Sequence, residues 1–259
     1  MKPRAAAAAR YRGGVVTRSD RPRRLRTAHP DYEHRDVQGG AARAAVFGVS
    51  DGLVSNMGLI LGVAGADPAP AVVRLAGLAG LVSGAISMAA GEYNSMRVQS
   101  ELLRYELAVE ARSLERRPEA ERDELAHIYE MRGLRPQIAR KVADALMRDP
   151  ETALETHARE ELGIDPQQLG SPLAAGTSSF FAFSLGGLVP LVPWFVTRGM
   201  AAVVASVVLG IAAACTVGVL VARATGGGWL RAVVRQVLFT LVPAAVTYAV
   251  GNLVGIAGV

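Results

Sequence analysis

The chain has 259 residues, 51% of them hydrophobic, with a formal net charge of +5 and a positive mean hydropathy. A soluble domain of this size seldom carries several uninterrupted apolar runs near twenty residues, so the composition points to the bilayer as solvent. The single cysteine, Cys215, excludes an internal disulfide and a paired-thiol metal site, and reads as a small packing residue in an apolar stretch.

The first 43 residues hold eleven of the 28 Lys and Arg, spaced by Ala, Pro and Gly. This segment reads as a disordered basic tail lying on an anionic inner leaflet. A secretory signal is not expected, because the first long apolar run starts only near Ala44 and Arg23-Arg24 leads into more charge. Nucleic-acid binding is not expected, since no aromatic-rich binding fold accompanies the charge.

Five apolar spans follow, roughly Ala44 to Ala66, Ala71 to Tyr93, Leu173 to Phe195, Ala201 to Ala222 and Ala232 to Ile256. Each is long enough to cross the hydrocarbon core as a helix. The fold class is therefore an all-α membrane protein with five transmembrane helices, in which Asn94 to Gly170 forms a charged helical domain between the second and third. The domains run 1–43, 44–93, 94–170 and 171–259.

Positive residues are retained on the cytoplasmic side of a membrane. The tail carries eleven, the 94–170 segment twelve and the loop between the fourth and fifth spans three, at Arg223, Arg231 and Arg235; the other side keeps only Arg74 and Arg198. An N-terminus inside and five spans satisfy this at every loop. Pro118, Gly133, Pro136, Pro150 and Gly163 divide the charged domain into helices near 95–116, 119–132, 135–147 and 150–162. Nothing breaks the first of these from the second span, which predicts one long helix leaving the membrane.

Ionisable groups inside spans are costly unless they work, which singles out Asp51 in the first span and Glu92 at the inner end of the second. Asp51, Ser55 and Asn56 are spaced i, i+4 and i+5, and Met88 and Glu92 are four apart on one face. Carboxylate, amide and thioether together suit Fe²⁺ or Mn²⁺ better than Ca²⁺. On spacing alone the same residues serve equally as an inter-helix hydrogen bond, packing and an interfacial anchor. The glycines Gly48, Gly52, Gly58 and Gly62, with Gly80 and Gly84, recur at the spacing that lets helix backbones approach.

In the charged domain, Glu106 and Glu110 share one helical face, as do Glu121 and Glu124 on the next helix. A hairpin at Pro118 would bring both pairs together as oxygen ligands for a divalent cation; a solvated acidic face is the alternative, because twelve basic residues are interspersed. Glu124-Leu125-Ala126-His127 is a lone Glu-x-x-His, and a ferritin-like oxidase needs two. With no nucleophile elbow, phosphate loop or nucleotide-binding sequence, the chain does not read as an enzyme. It calls for no cofactor, and uphill transport would depend on an ion gradient.

Asp51-Gly52-Leu53, Gly84-Ala85-Ile86-Ser87-Met88 with Gly91-Glu92-Tyr93, Glu161-Leu162-Gly163-Ile164, and Ser171-Pro172-Leu173 through Ser179-Phe180, Phe183, Gly186, Pro190-Leu191 and Pro193 together resemble the vacuolar iron transporter family over roughly Ala42 to Val259. The resemblance implies a homodimer of five-helix subunits in membrane lipid, a path at the dimer interface, and exchange of Fe²⁺ or Mn²⁺ for protons. It also implies a cytoplasmic domain that collects metal with glutamates and a methionine. Asp51 and Met88 match the family's transmembrane ligands. The glutamate usual eight residues before the methionine is replaced by Gly80, while Glu92 adds a carboxylate where vacuolar members carry a small residue. This is similar to the bacterial branch, implying the plasma membrane and export. Glu161 matches the closing glutamate, His157 falls where methionine is frequent, and Glu106, Glu110, Glu121 and Glu124 match by region and spacing. A non-transporting membrane sensor or scaffold with an acidic interaction domain is the alternative function.

Overall fold

The structure is a computed structural model that describes residues 40–163, 165 and 170–257. The basic tail up to residue 39, and Ile164 of the Glu-Leu-Gly-Ile motif, lie outside the described residues. Among the described residues every regular element is a helix: α1 (Gly40–Gly65), α2 (Pro70–Arg116), α3 (Pro118–Met131), α4 (Pro136–Leu146), α5 (Pro150–Glu160), α6 (Pro172–Leu191), α7 (Pro193–Val196), α8 (Met200–Thr225) and α9 (Trp229–Ala257). Five of them, α1, α2, α6, α8 and α9, are long and apolar enough to cross a membrane.

The starts and stops follow the punctuation. Proline occupies the first turn of α2, α3, α4, α5 and α6, where its missing N–H costs nothing. Asp149 and Ser171 cap α5 and α6 by accepting from the backbone N–H of Thr152 and Ala174. Two boundaries differ from the apolar runs. Helix α1 begins at Gly40, so Arg43, grouped with the tail by its charge, stands in the first turn of a helix. The third span ends at Leu191 and restarts as α7, because Pro193 cannot donate to the preceding turn. The carbonyl of Pro190 at this break accepts from the Ser206 hydroxyl at 2.7 Å, as an apolar surrounding demands.

The surface is inverted relative to a soluble bundle. Val82, Phe181, Val208, Leu238 and Val246 stand outward and exposed on four of the five long helices, which is what a lipid solvent allows. Inside, small residues let backbones touch. A Cβ on Gly52 would run into the backbone of Phe183 in α6, and one on Gly186 into Val49 and Leu53 of α1. Between α1 and α9 the Thr247 hydroxyl donates to Gly58 O at 2.7 Å. The glycine face of α1 is therefore committed to α6 and α9. Its other face, carrying Asp51, is left toward α2.

Helix α2 is a single rod of 47 residues, about 70 Å at the helical rise. Its far half carries the small helices: Leu125, Ala126 and Ala143 make a core with Tyr129, Leu146 and Met147, and the Tyr129 hydroxyl and Arg132 both engage Glu160 to seat α5 on α3.

Candidate metal sites

Along one face of α1, Phe47, Asp51, Ser55 and Leu59 recur every four residues, and along α2 so do Gly80, Gly84, Met88 and Glu92. With Asn56, Ser87, Gly91 and Phe183 they line a cavity of about 400 Å³. The carboxylates of Asp51 and Glu92 and the thioether of Met88 thus share one cavity. The Ser55 hydroxyl donates to the Asp51 carbonyl at 2.6 Å and stays close to its own helix. Asn56, 2% exposed, donates from Nδ2 to Gly187 O at 2.7 Å, which leaves Oδ1 buried without a hydrogen-bond partner among the described residues. A buried orphan oxygen is costly, and a cation ligand is one resolution.

Position 80 explains part of that arrangement. A Cβ on Gly80 would lie 3.1 Å from Asn56 Oδ1 and closer still to the Leu59 methyl. Leu59 fills the space that a longer side chain would need. At the other end of the cavity Arg43 Nη2 approaches Glu92 Oε2 at 3.5 Å. Sequence reading passed over Arg43, although it stands eight residues before Asp51, two turns away on the same face.

The second group lies on the far half of α2. Glu110 from α2, Glu121 from α3, His157 from α5 and Glu161 just beyond α5 bring one ligand atom each within 4.8 Å of one another. His157 Nδ1 is 3.3 Å from Glu110 Oε1 and 3.6 Å from Glu161 Oε2. Adjacent ligands of a first-row ion, with bonds near 2.1 Å, stand about 3 to 3.5 Å apart, so the group needs little contraction to hold one. His157 is fully buried, and Glu110 and Glu121 are each 7% exposed. The Ser113 hydroxyl donates to Glu121 Oε1 at 2.5 Å and fixes that carboxylate. Among the described residues neither nitrogen of His157 has a hydrogen-bond partner, nor does Glu110 Oε1.

Loss of water, and then the charges of Glu161, Glu121 and Glu124, push the Glu110 carboxyl up to about 7. Glu124, exposed at the rim, is raised by partial burial and by Glu161 and Glu121, and is lowered by His157. The group is a nest of like charges that a dication would neutralise. Two residues named from sequence stand apart from it. Glu106, one turn from Glu110 toward the membrane span, is not part of the group, because α3 and α5 converge a turn further out. His127 of the lone Glu-x-x-His is exposed and also outside it.

A helical bundle with five spans, an intramembrane cavity lined by Asp51, Met88 and Glu92, and a buried group of carboxylates and an imidazole defines an integral membrane protein built to handle cations. The profile of the VIT family matches residues 42–252, and the chain belongs to that family. It is 30% identical over 223 residues to vacuolar iron transporter 1 of Arabidopsis thaliana, covering 86% of this chain and 89% of the relative. It is 35% identical over 196 residues to vacuolar iron transporter 2 of rice, covering 75% and 79%. Over 161 residues it is 39% identical to the vacuolar iron transporter of Acanthamoeba castellanii, covering 61% and 58%. The family is one of membrane transporters and not of enzymes. These relatives are named for the vacuole and lend nothing to a placement in the bacterial branch.

Proposed function

We propose that the chain moves Fe²⁺ or Mn²⁺ out of the cytoplasm in exchange for protons. The observation that carries this reading is the pair of under-satisfied ligand groups on one helix: Met88 and Glu92 within the membrane cavity, and Glu110 in the outer group. Carboxylate, amide oxygen, imidazole and thioether suit both ions. The outer group, with three carboxylates, gathers dications from water, and Asp51 within the span offers a carboxylate that can trade a proton for the metal.

The 94–170 domain and the N-terminus are cytoplasmic in this reading, as the charge balance requires, and the membrane is the plasma membrane. The chain works as a homodimer. The cavity is bordered by Phe47, 56% exposed, and Leu59, 39% exposed, and a second copy laid over this face would close the path between the two subunits.

Metal flux into proteoliposomes under an imposed pH gradient tests the reading, with Fe²⁺ and Mn²⁺ in competition. Flux of either ion that is linked to the gradient is expected. Metal binding without flux would support the sensor alternative.

A further inference from the structure

We propose that Arg43 is a built-in, displaceable counter-ion of the membrane cavity: its guanidinium stands on Glu92 in the place of the cation until a divalent ion dislodges it. The inference rests on the transport reading above and gives that site a selectivity element. Arg43 extends the stripe of Phe47, Asp51, Ser55 and Leu59 by one turn, and Glu92 ends the facing stripe of Gly80, Gly84 and Met88, so the pair sits at one end of the cavity.

The helix that bears Arg43 is pinned while the side chain is not. The Ser178 hydroxyl donates to Ala41 O at 2.9 Å, and Ala44 packs against Met96 and Ala175. The Arg43 side chain is 68% exposed, against 13% for Glu92. It can therefore swing away with no movement of α1.

The contact also has the strength such a role needs. At 3.5 Å the charges attract, yet Glu92 Oε2 is buried and makes no hydrogen bond among the described residues. A bidentate guanidinium would satisfy that oxygen and lock the site; this one neutralises the carboxylate and leaves it under-satisfied. A monovalent cation brings the same single charge as Arg43 and must shed its own water, so it gains little by exchange. A divalent ion brings twice the charge and reaches Met88 and Asp51 in the same cavity. Arg43 thereby raises the threshold for entry and sets it by charge.

The test is Mn²⁺ flux in proteoliposomes at fixed pH, with and without added K⁺, for the wild-type chain, Arg43→Ala, Arg43→Lys, Glu92→Gln and the Arg43→Ala/Glu92→Gln double variant. Arg43→Ala is expected to lower the half-maximal Mn²⁺ concentration several-fold and to make flux sensitive to K⁺. Arg43→Lys should stay near wild type, and in the Glu92→Gln background Arg43→Ala should change neither quantity. An Arg43→Ala protein with unchanged or higher half-maximal Mn²⁺ and no K⁺ sensitivity overturns the proposal, as does the same effect without Glu92. If the wild-type chain moves no Mn²⁺, the transport reading fails by itself. Equilibrium Mn²⁺ binding to the same five solubilised proteins then decides on Arg43 by the same pattern.

Discussion

The Nδ1 atom of His157 lies 3.3 Å from Oε1 of Glu110, and neither atom has a hydrogen-bond partner among the described residues. A buried carboxyl pushed up to about 7 beside an imidazole is held for something that arrives from outside. The folded-state value stands above the ordinary 4.5, so native protein binds more protons than unfolded chain between those two values. The contribution of Glu110 to metal-free stability is then complete below about pH 4.5 and lost as pH rises through about 7. The thermal midpoint of metal-free protein in detergent should fall by several degrees between about pH 5.5 and about pH 8. Mn²⁺ should restore it at the higher pH, because metal binds the deprotonated form. Glu110→Gln should flatten the slope, and a variant that keeps the full slope would place its source elsewhere.

The two groups should divide the work of transport. Asp51→Asn is expected to abolish proton-linked flux even at saturating metal, with folding checked by the monodisperse fraction in detergent. Joint Glu110→Gln and Glu161→Gln substitution should raise the half-maximal metal concentration by on the order of tenfold and spare the maximal rate. Glu106→Gln, outside the converging atoms, should move it less than about twofold. Flux against metal concentration in sealed vesicles measures all three. Full coupling in Asp51→Asn would shift attention to Glu92.

Gly52→Ala drives a methyl into the backbone of Phe183, where no rotamer gives relief. A loss of about 3 kcal/mol is expected. Gly91→Ala is the control, since a Cβ there meets nothing within 4 Å even though Gly91 lines the cavity. Thermal midpoints and the monodisperse fraction in detergent should separate the two clearly.

Membrane orientation is open to labelling. In a Cys215→Ser background, Glu130→Cys should resist an impermeant thiol reagent in intact cells and react after lysis, because the 94–170 segment is read as cytoplasmic. Reaction in intact cells would reverse the orientation.

Much of this was legible in the chain. The spans follow from long apolar runs, one of which continues through Pro243 inside α9, and the rod of α2 from a helical pattern with proline only at its start; Asp51 and Glu92 stand out as ionisable groups in a span, and Met88 by its place four residues before Glu92. The hairpin at Pro118 could be expected from the breakers, but which turn of α2 faces α3 and α5 could not, because it depends on packing around Leu125 and Ala143, a tertiary matter. Spacing alone gives Glu106 and Glu110 equal standing; folding separates them. Arg43 was obscured for another reason, since charge density assigned it to the tail although helical phase ties it to Asp51.

Helix α2 carries one more consequence. Glu92 and Glu110 are 18 residues apart on it, five whole turns, so they stand on the same meridian of the rod about 27 Å apart. The rod acts as a ruler that fixes both the length and the bearing of the route between the two groups. Its phase is as much a part of the machine as its side chains. One residue inserted midway would lengthen the route by only about 1.5 Å, yet it would turn the outer carboxylate about 100° away from the line of the inner one.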